Sequence, residues 1–246
     1  VTTGIDRLRR AARIEHIGRH ALRVSTVGEG PPLLLCNGLA SPLEAWGPLV
    51  EALDGHRLVA FDAPGVGDSP APLRPLGIGG VARLATAVLD RVGVSRAHVL
   101  GYSWGSAVAQ QLAWRHAGRV DRLVLAAGST GMGSVPGAPP AVLALMATTM
   151  RAGNPRRPRT SPLGFLGQIG AIGTWSSLPW LPLVRARTLV LHGGADAVAP
   201  VVNAHVLAWA LADAHLEVLP RADHLLFETR WCERTAAAVR TFLAAP

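Results

Sequence analysis

Short unbroken apolar runs along the chain alternate with stretches in which apolar residues recur every three or four positions. The runs "ALRVSTV" (21–27), "PPLLLC" (31–36), "HRLVAFD" (56–62), "AHVLGY" (97–102), "VDRLVLAA" (120–127), "ARTLVLHG" (186–193) and "AHLEVLP" (214–220) predict strands. Helical periods over 42–53, 78–92, 104–116, about 200–212 and 231–243 separate most of them. Strands that are apolar without alternation are buried on both faces. The pattern therefore predicts an α/β fold, a mostly parallel central sheet flanked by helices. No internal repeat interrupts it.

The segment from Gly128 to Pro182 breaks this rhythm. It is dense in Gly and Pro and contains one helical stretch, "PAVLALMATTM" (140–150). That stretch and "IGTWSSLPWLPLV" are too apolar to remain solvated. A long excursion between two sheet strands of this character predicts a cap or lid. We bound it at 131–182, inside a single domain spanning 1–246.

Composition narrows the class. With 246 residues, 49% hydrophobic and 16% charged, the chain can bury a sizeable core and is not disordered. No apolar run reaches the roughly 18–20 residues of a membrane span, so no transmembrane segment is expected. The first twenty residues are polar and Arg-rich, without the apolar centre of a signal peptide, which makes a cytoplasmic location the expectation. The net charge is +8, and all 24 basic residues are arginine. They are scattered, with two denser groups at Arg7, Arg9, Arg10, Arg13 and at Arg151, Arg156, Arg157, Arg159. These read as solvated surface, so no nucleic-acid partner is expected. Cys36 and Cys232 lack any paired spacing and read as free thiols. The histidines form no ligand motif, so no metal is expected, and no cofactor is expected either.

The candidate chemistry lies in "GYSWG", Gly101 to Gly105. Small residues on either side of Ser103, placed between a strand and a helix, permit a sharp turn that holds the hydroxyl above the strand ends. A serine hydroxyl is a weak nucleophile and needs a base oriented by an acid. His224 follows the strand 214–220, and Asp196 follows the strand 186–193. Both then project from the carboxyl edge of the sheet, where Ser103 lies. Asp223 is a competing acid, but it adjoins His224 directly on one loop. An oxyanion needs two backbone N–H donors; Trp104, at the helix start, and Leu39, in the loop "CNGLAS", are the candidates. Asp62 and Asp68 in "FDAPGVGDS" read as turn and cap residues.

Taken in order, "LLLCNGLAS", "VAFDAPGVGDSP", "GYSWGSAVAQQLA", "RLVLAAGSTG", "TLVLHGGADAVAP" and "DHLLF" resemble the α/β-hydrolase superfamily across nearly the whole domain. More narrowly, "CNGLASPLEAW", "FDAPGVGDSPAP", "GYSWGSAVAQQLAWRH" and the stretch from "WSSLPW" through "LHGGADAVAP" are similar to the intracellular depolymerases of medium-chain poly(3-hydroxyalkanoates). Asn37-Gly38 matches an Asn-Gly found there where other hydrolases have His-Gly. The resemblance implies Ser103, Asp196 and His224 as catalytic triad, and hydrolysis of esters of aliphatic hydroxyacids through an acyl-enzyme. It implies an ester substrate, with a polyester granule surface as the expected partner. Asn37, Val198, Leu225, Trp175 and Trp180 are the expected substrate contacts. Two departures from the family stand out: the cap is short and rich in Pro and Arg, and Ser106 replaces a glycine common after the elbow. The alternatives are a small-molecule carboxylesterase, lactonase or thioesterase, and a non-catalytic ligand-binding protein on the same scaffold.

Overall fold

The structure, a computed structural model, describes residues 2–150, 160–227 and 229–245. Helix α1 (Gly4–Ala11) leads into a hairpin of β1 (Arg13–Ile17) and β2 (His20–Val27). The sheet continues with β3 (Pro32–Cys36), β4 (Arg57–Phe61), β5 (Ala97–Tyr102), β6 (Val120–Ala126), β7 (Arg187–Gly193) and β8 (Ala214–Leu219). Its eight strands lie in the order β1-β2-β4-β3-β5-β6-β7-β8. The pairs β1–β2 and β2–β4 are antiparallel, and every other pair is parallel. The carboxyl ends of β3 through β8 therefore share one edge, and loops leaving that edge can meet.

Alternate residues of each central strand go to opposite cores. Leu34, Val59, Val99, Leu123, Leu125 and Val190 pack on the side of α3 (Ile78–Arg91), α4 (Trp104–Arg115) and α7 (Val202–Ala210). Leu33, Leu35, Leu58, Leu100, Val124 and Leu189 pack on the side of α1, α2 (Gly47–Ala52) and α8 (Thr229–Ala244). Unbroken apolar strand sequences follow directly from this two-sided burial.

Among the local features that differ from the sequence pattern is α1 itself, which the polar, Arg-rich start of the chain did not signal. The helix expected over 42–53 divides into a 3-10 turn, Leu43–Trp46, and α2. Pro48 has no N–H to give the preceding turn, so one continuous helix cannot form there. β1 is an edge strand with only Ile17 buried, which leaves no apolar run to read. Among the described residues, the stretch between β6 and β7 holds the α-helices α5 (Pro139–Met150) and α6 (Pro162–Gly173), where the sequence pattern shows one. Glycine and proline conceal α6, yet Ser161 caps it by accepting from the Gly164 N–H at 3.0 Å, and Pro162 suits its first position. Arg151, Arg156, Arg157 and Arg159 lie outside the described residues. Among the described residues no helix is long and apolar enough to cross a membrane.

A buried ionic group braces the sheet beneath the loop that follows β3. Arg23 donates to Glu44 at 2.8 and 3.1 Å and to Asp62 at 3.4 Å, and all three side chains are nearly or fully buried. Asp62 also accepts the Leu43 N–H at 2.6 Å and the Asp68 N–H at 3.3 Å. Burial pushes the Asp62 carboxyl up to about 7, against the opposing pull of the Leu43 N–H and of Arg23. Asp62 thus does more than shape a turn. It joins β4, the 62–69 loop and the start of the 3-10 turn.

Candidate active site

The turn from β5 into α4 explains both glycines of "GYSWG". Ser103 has φ 53° and ψ −118°, a left-handed backbone that a non-glycine residue adopts only when its surroundings impose it. Those surroundings are tight. A side chain on Gly101 would stand 2.6 Å from Ala109 Cβ, so glycine lets the end of β5 lie against α4. A side chain on Gly105 would stand 2.5 Å from the Asn37 carbonyl oxygen and would strike the Cys36 carbonyl. Glycine there lets α4 start hard against the loop after β3. The Ser103 N–H donates to the Ala126 carbonyl at 2.8 Å, which fixes the turn to β6.

Gly105→Ala tests this packing. The added methyl meets backbone carbonyls, which no rotamer change can move aside. Overpacking of this kind costs about 1–3 kcal/mol, which for a domain of this size lowers Tm by roughly 3–10 °C. Thermal unfolding measures it, and an unchanged Tm would contradict this close packing.

Ser106 has a similar local explanation. Its buried hydroxyl accepts from Gln110 Nε2 at 3.1 Å, and Gln110 Nε2 also donates to the Ser129 carbonyl at 3.0 Å. Any side chain on Gly128 would run into the Ser106 side chain. The departure from glycine at 106 is accommodated by glycine at 128.

Ser103, His224 and Asp196 meet above the strand ends. Ser103 Oγ lies 2.8 Å from His224 Nε2, and His224 Nδ1 lies 2.7 Å from Asp196 Oδ2. Asp196 and His224 are buried, 5% and 4% exposed, and Ser103 is half-buried. The loops carrying the acid and the histidine extend the pairing of β7 with β8. Gly194 N–H donates to the Leu219 carbonyl and Ala195 N–H to the Ala222 carbonyl, each at 2.9 Å. The other oxygen of Asp196, Oδ1, accepts the N–H groups of Val198 and Ala199, both at 2.8 Å. Oδ2 is left facing the imidazole. Asp223 points elsewhere, accepting from the Leu225 N–H and from Arg230. The sequence pattern did not single out Tyr102, whose hydroxyl donates to the His224 carbonyl at 2.8 Å and steadies the histidine loop. Its position one residue before Ser103 is the only signal the sequence offered.

The loop after β3 passes directly beside the serine. A side chain on Gly38 would lie 3.6 Å from Ser103 Cβ, so glycine lets the loop come this close, one residue before Leu39. Among the described residues no backbone carbonyl accepts from the N–H of Leu39 or of Trp104. Cys36, the nearest thiol in sequence, is buried, and burial pushes it up to about 12, which disarms it as a nucleophile at neutral pH.

The expected substrate contacts divide. Val198 donates its backbone N–H to Asp196 Oδ1, whereas Leu225, next to His224 in the chain, donates its N–H to Asp223 Oδ1. The Asn37 side chain shapes the loop: an amide N–H donates to the Ser41 carbonyl at 2.8 Å and its oxygen accepts the Trp46 indole N–H. Trp175 and Trp180 are not brought to Ser103. Trp180 stacks on Trp114 at 4.4 Å, and Trp175 donates to Gln111 Oε1 at 2.8 Å. Gln111 and Trp114 stand in the second half of α4, about 12 and 16 Å along the helix from Ser103. Burying paired indoles against α4 satisfies these side chains better than a solvated cleft would.

What reaches the site from between β6 and β7 is α6. Gln168, on that helix, is 5% exposed and touches both the loop after β3 and the start of α4. The glycine-rich sequence around it carried no sign of this. Beside it an open recess is lined by Pro72, Leu76, Val81, Trp104 and Leu163.

Residues 31–160 match the family model described as alpha/beta hydrolase fold. The chain is 35% identical over 240 residues to the poly(3-hydroxyalkanoate) depolymerase of Ectopseudomonas oleovorans, covering 86% of this chain and 84% of that protein. Its fold matches a hydrolase from Pseudomonas aeruginosa PA01, with a TM-score of 0.81, 26% identity, and 95% and 98% of the two chains covered. It also matches the enol-lactonase of Burkholderia xenovorans LB400, with a TM-score of 0.82, 24% identity, and 95% and 100% covered.

Proposed function

The chain belongs to the α/β-hydrolase family, and from that premise we propose that it is a serine esterase that cleaves poly(3-hydroxyalkanoates) and their oligomers. The observation that carries this reading is the unbroken relay from Ser103 Oγ through His224 to Asp196, at 2.8 and 2.7 Å. Attack by Ser103 Oγ on the ester carbonyl passes the hydroxyl proton to His224 Nε2. Asp196 accepts from Nδ1–H, which keeps Nε2 free to take that proton and stabilises the imidazolium. The N–H groups of Leu39 and Trp104 hold the tetrahedral oxyanion. As the intermediate collapses, the alcohol departs with the proton from His224 and leaves an acyl-Ser103. Water then attacks the acyl carbon, giving its proton to His224. The second collapse returns that proton to Ser103 Oγ and frees the carboxylic acid.

The substrate class rests on two supports. The depolymerase relative covers most of the chain. Met132, Leu143, Leu163 and Leu166, all within the proposed cap at 131–182, are exposed and give it an apolar outer surface suited to an aliphatic polyester. A cytoplasmic granule is the corresponding setting.

Hydrolysis of p-nitrophenyl esters graded in chain length, run beside clearing of medium-chain polyhydroxyalkanoate granules, tests this reading. The expected result is a rise in kcat/KM from acetate to octanoate, together with clearing of granules. Activity confined to acetate and butyrate esters, with granules untouched, would assign the chain to small-molecule carboxylesterase chemistry instead.

A further inference from the structure

We propose that Gln168 is a positioning residue that lets α6 set the geometry of the oxyanion hole. This rests on the assignment of Leu39 and Trp104 as oxyanion donors. Gln168 reaches both halves of that pair. Its side-chain Oε1 accepts the N–H of Ala40, the residue after Leu39, at 2.7 Å. Its backbone carbonyl accepts the indole N–H of Trp104 at 3.0 Å. One residue of one helix thus ties the loop after β3 to the start of α4, 64 residues apart in the chain counted from Ala40 to Trp104.

The Ala40 backbone shows why such a tie is needed. It sits at φ 53°, in the left-handed region that alanine avoids. A residue keeps such a conformation only where its neighbours over-determine it. Both polar groups of Ala40 are held from the segment between β6 and β7. Gln168 takes the N–H, and Thr160 Oγ1 donates to the carbonyl at 2.8 Å. Released from them, the loop at Leu39–Ala40 can relax toward an ordinary backbone, and the 38–39 peptide that carries the Leu39 N–H turns with it. α6 is itself pinned close by. Ser161 N–H donates to the Gly65 carbonyl at 2.9 Å, and a side chain on Gly65 would collide with Gly164, so the helix seats directly on the turn after β4.

The functional consequence is that hydrolysis depends on α6 being seated. An oxyanion donor works only when aimed, at hydrogen-bond distance, at the position the developing charge will occupy. A helix that holds both donors in register makes the catalytic geometry conditional on its own docking. Because the effect falls on the oxyanion and not on substrate binding, it should appear in kcat and leave KM nearly unchanged.

Gln168→Leu in the full chain removes the Oε1 acceptor while keeping volume and the backbone carbonyl. With p-nitrophenyl octanoate, kcat should fall about 10- to 30-fold with KM within about twofold, short of the roughly 10²–10³-fold loss when a donor is removed outright. An octyl trifluoromethyl ketone, whose hemiketal oxyanion on Ser103 uses the same donors, should lose affinity in step with kcat. Inhibition by 1-octanol, an uncharged ligand of the same chain length that forms no oxyanion, should stay as in the parent protein. Thr160→Val should shift the same readouts in the same direction by a smaller factor. A folded Q168L with parental kcat overturns the proposal, as does a trifluoromethyl ketone and 1-octanol that weaken together. Should Q168L not fold, parental kcat in T160V overturns it. Ser103→Ala measured in parallel separates the two levels: an inactive S103A beside a fully active Q168L defeats the tie alone, whereas an active S103A defeats the assignment of Ser103 beneath it.

Discussion

Ser103→Ala is expected to lower ester hydrolysis about 10⁴- to 10⁶-fold while the fold persists. The hydroxyl's hydrogen-bonding contact is His224 Nε2, and His224 keeps its Nδ1 contact with Asp196 when the hydroxyl is removed. The turn itself is held through the Ser103 backbone N–H on Ala126, and alanine keeps that donor and the same Cβ. With no nucleophile, the remaining machinery of donors and imidazole can only promote direct attack by water. Initial rates on p-nitrophenyl octanoate, with circular dichroism and Tm as controls for folding, provide the measurement. A loss below tenfold in a folded variant would mean that another group attacks the ester.

Asp196→Asn should cost nearly as much, about 10⁴-fold in kcat at neutral pH, with the structure again preserved. The sign follows from the two faces of the carboxylate. Oδ1 accepts two backbone N–H groups, from Val198 and Ala199, and can be replaced there only by the amide oxygen. The amide NH₂ must then face His224 Nδ1, where Oδ2 now stands at 2.7 Å. A donor in that place demands an unprotonated Nδ1 and sends the imidazole proton to Nε2. Nε2–H can give a hydrogen bond to Ser103 but cannot take its proton. Nitrogen NMR of labelled histidine should therefore show the His224 tautomer reversed in the variant, alongside the loss in kcat. A variant that retains more than a tenth of the activity, with the tautomer unchanged, would remove Asp196 from the mechanism.

The chemistry of this protein was more legible in the sequence than the surroundings of that chemistry. Ser103, Asp196 and His224 could be placed because each follows an apolar strand, and a parallel sheet gathers the ends of its strands at one edge. That inference needs only strand order and direction. Asn37, Trp175 and Trp180 also stood at sensible positions in the chain, yet they serve other ends. Nothing in a sequence says that the Asn37 amide will close on Ser41 and Trp46, or that Trp180 will stack on Trp114. Side-chain direction in loops is decided by tertiary partners. The same holds for α6, whose "PLGFLGQIGAIG" carries three glycines within the helix before its last residue, Gly173. Intrinsic propensity argues against a helix there. It forms because Ser161 caps it and because Gly164 allows close contact with Gly65. The buried group of Arg23, Glu44 and Asp62 was hidden for a related reason. Its members are far apart in sequence, and each taken alone reads as an ordinary surface charge.

The proposed hydrolysis stands on Ser103 as the nucleophile, activated by His224. Peptide mapping by mass spectrometry after treatment of the native protein with a fluorophosphonate reads this out, since the probe loses fluoride and leaves a stable phosphonyl ester on the attacking oxygen. One adduct per chain is expected, on the peptide containing Ser103, formed in step with loss of esterase activity and absent after heat unfolding. An adduct on another residue, or full loss of activity with Ser103 unlabelled, would contradict it.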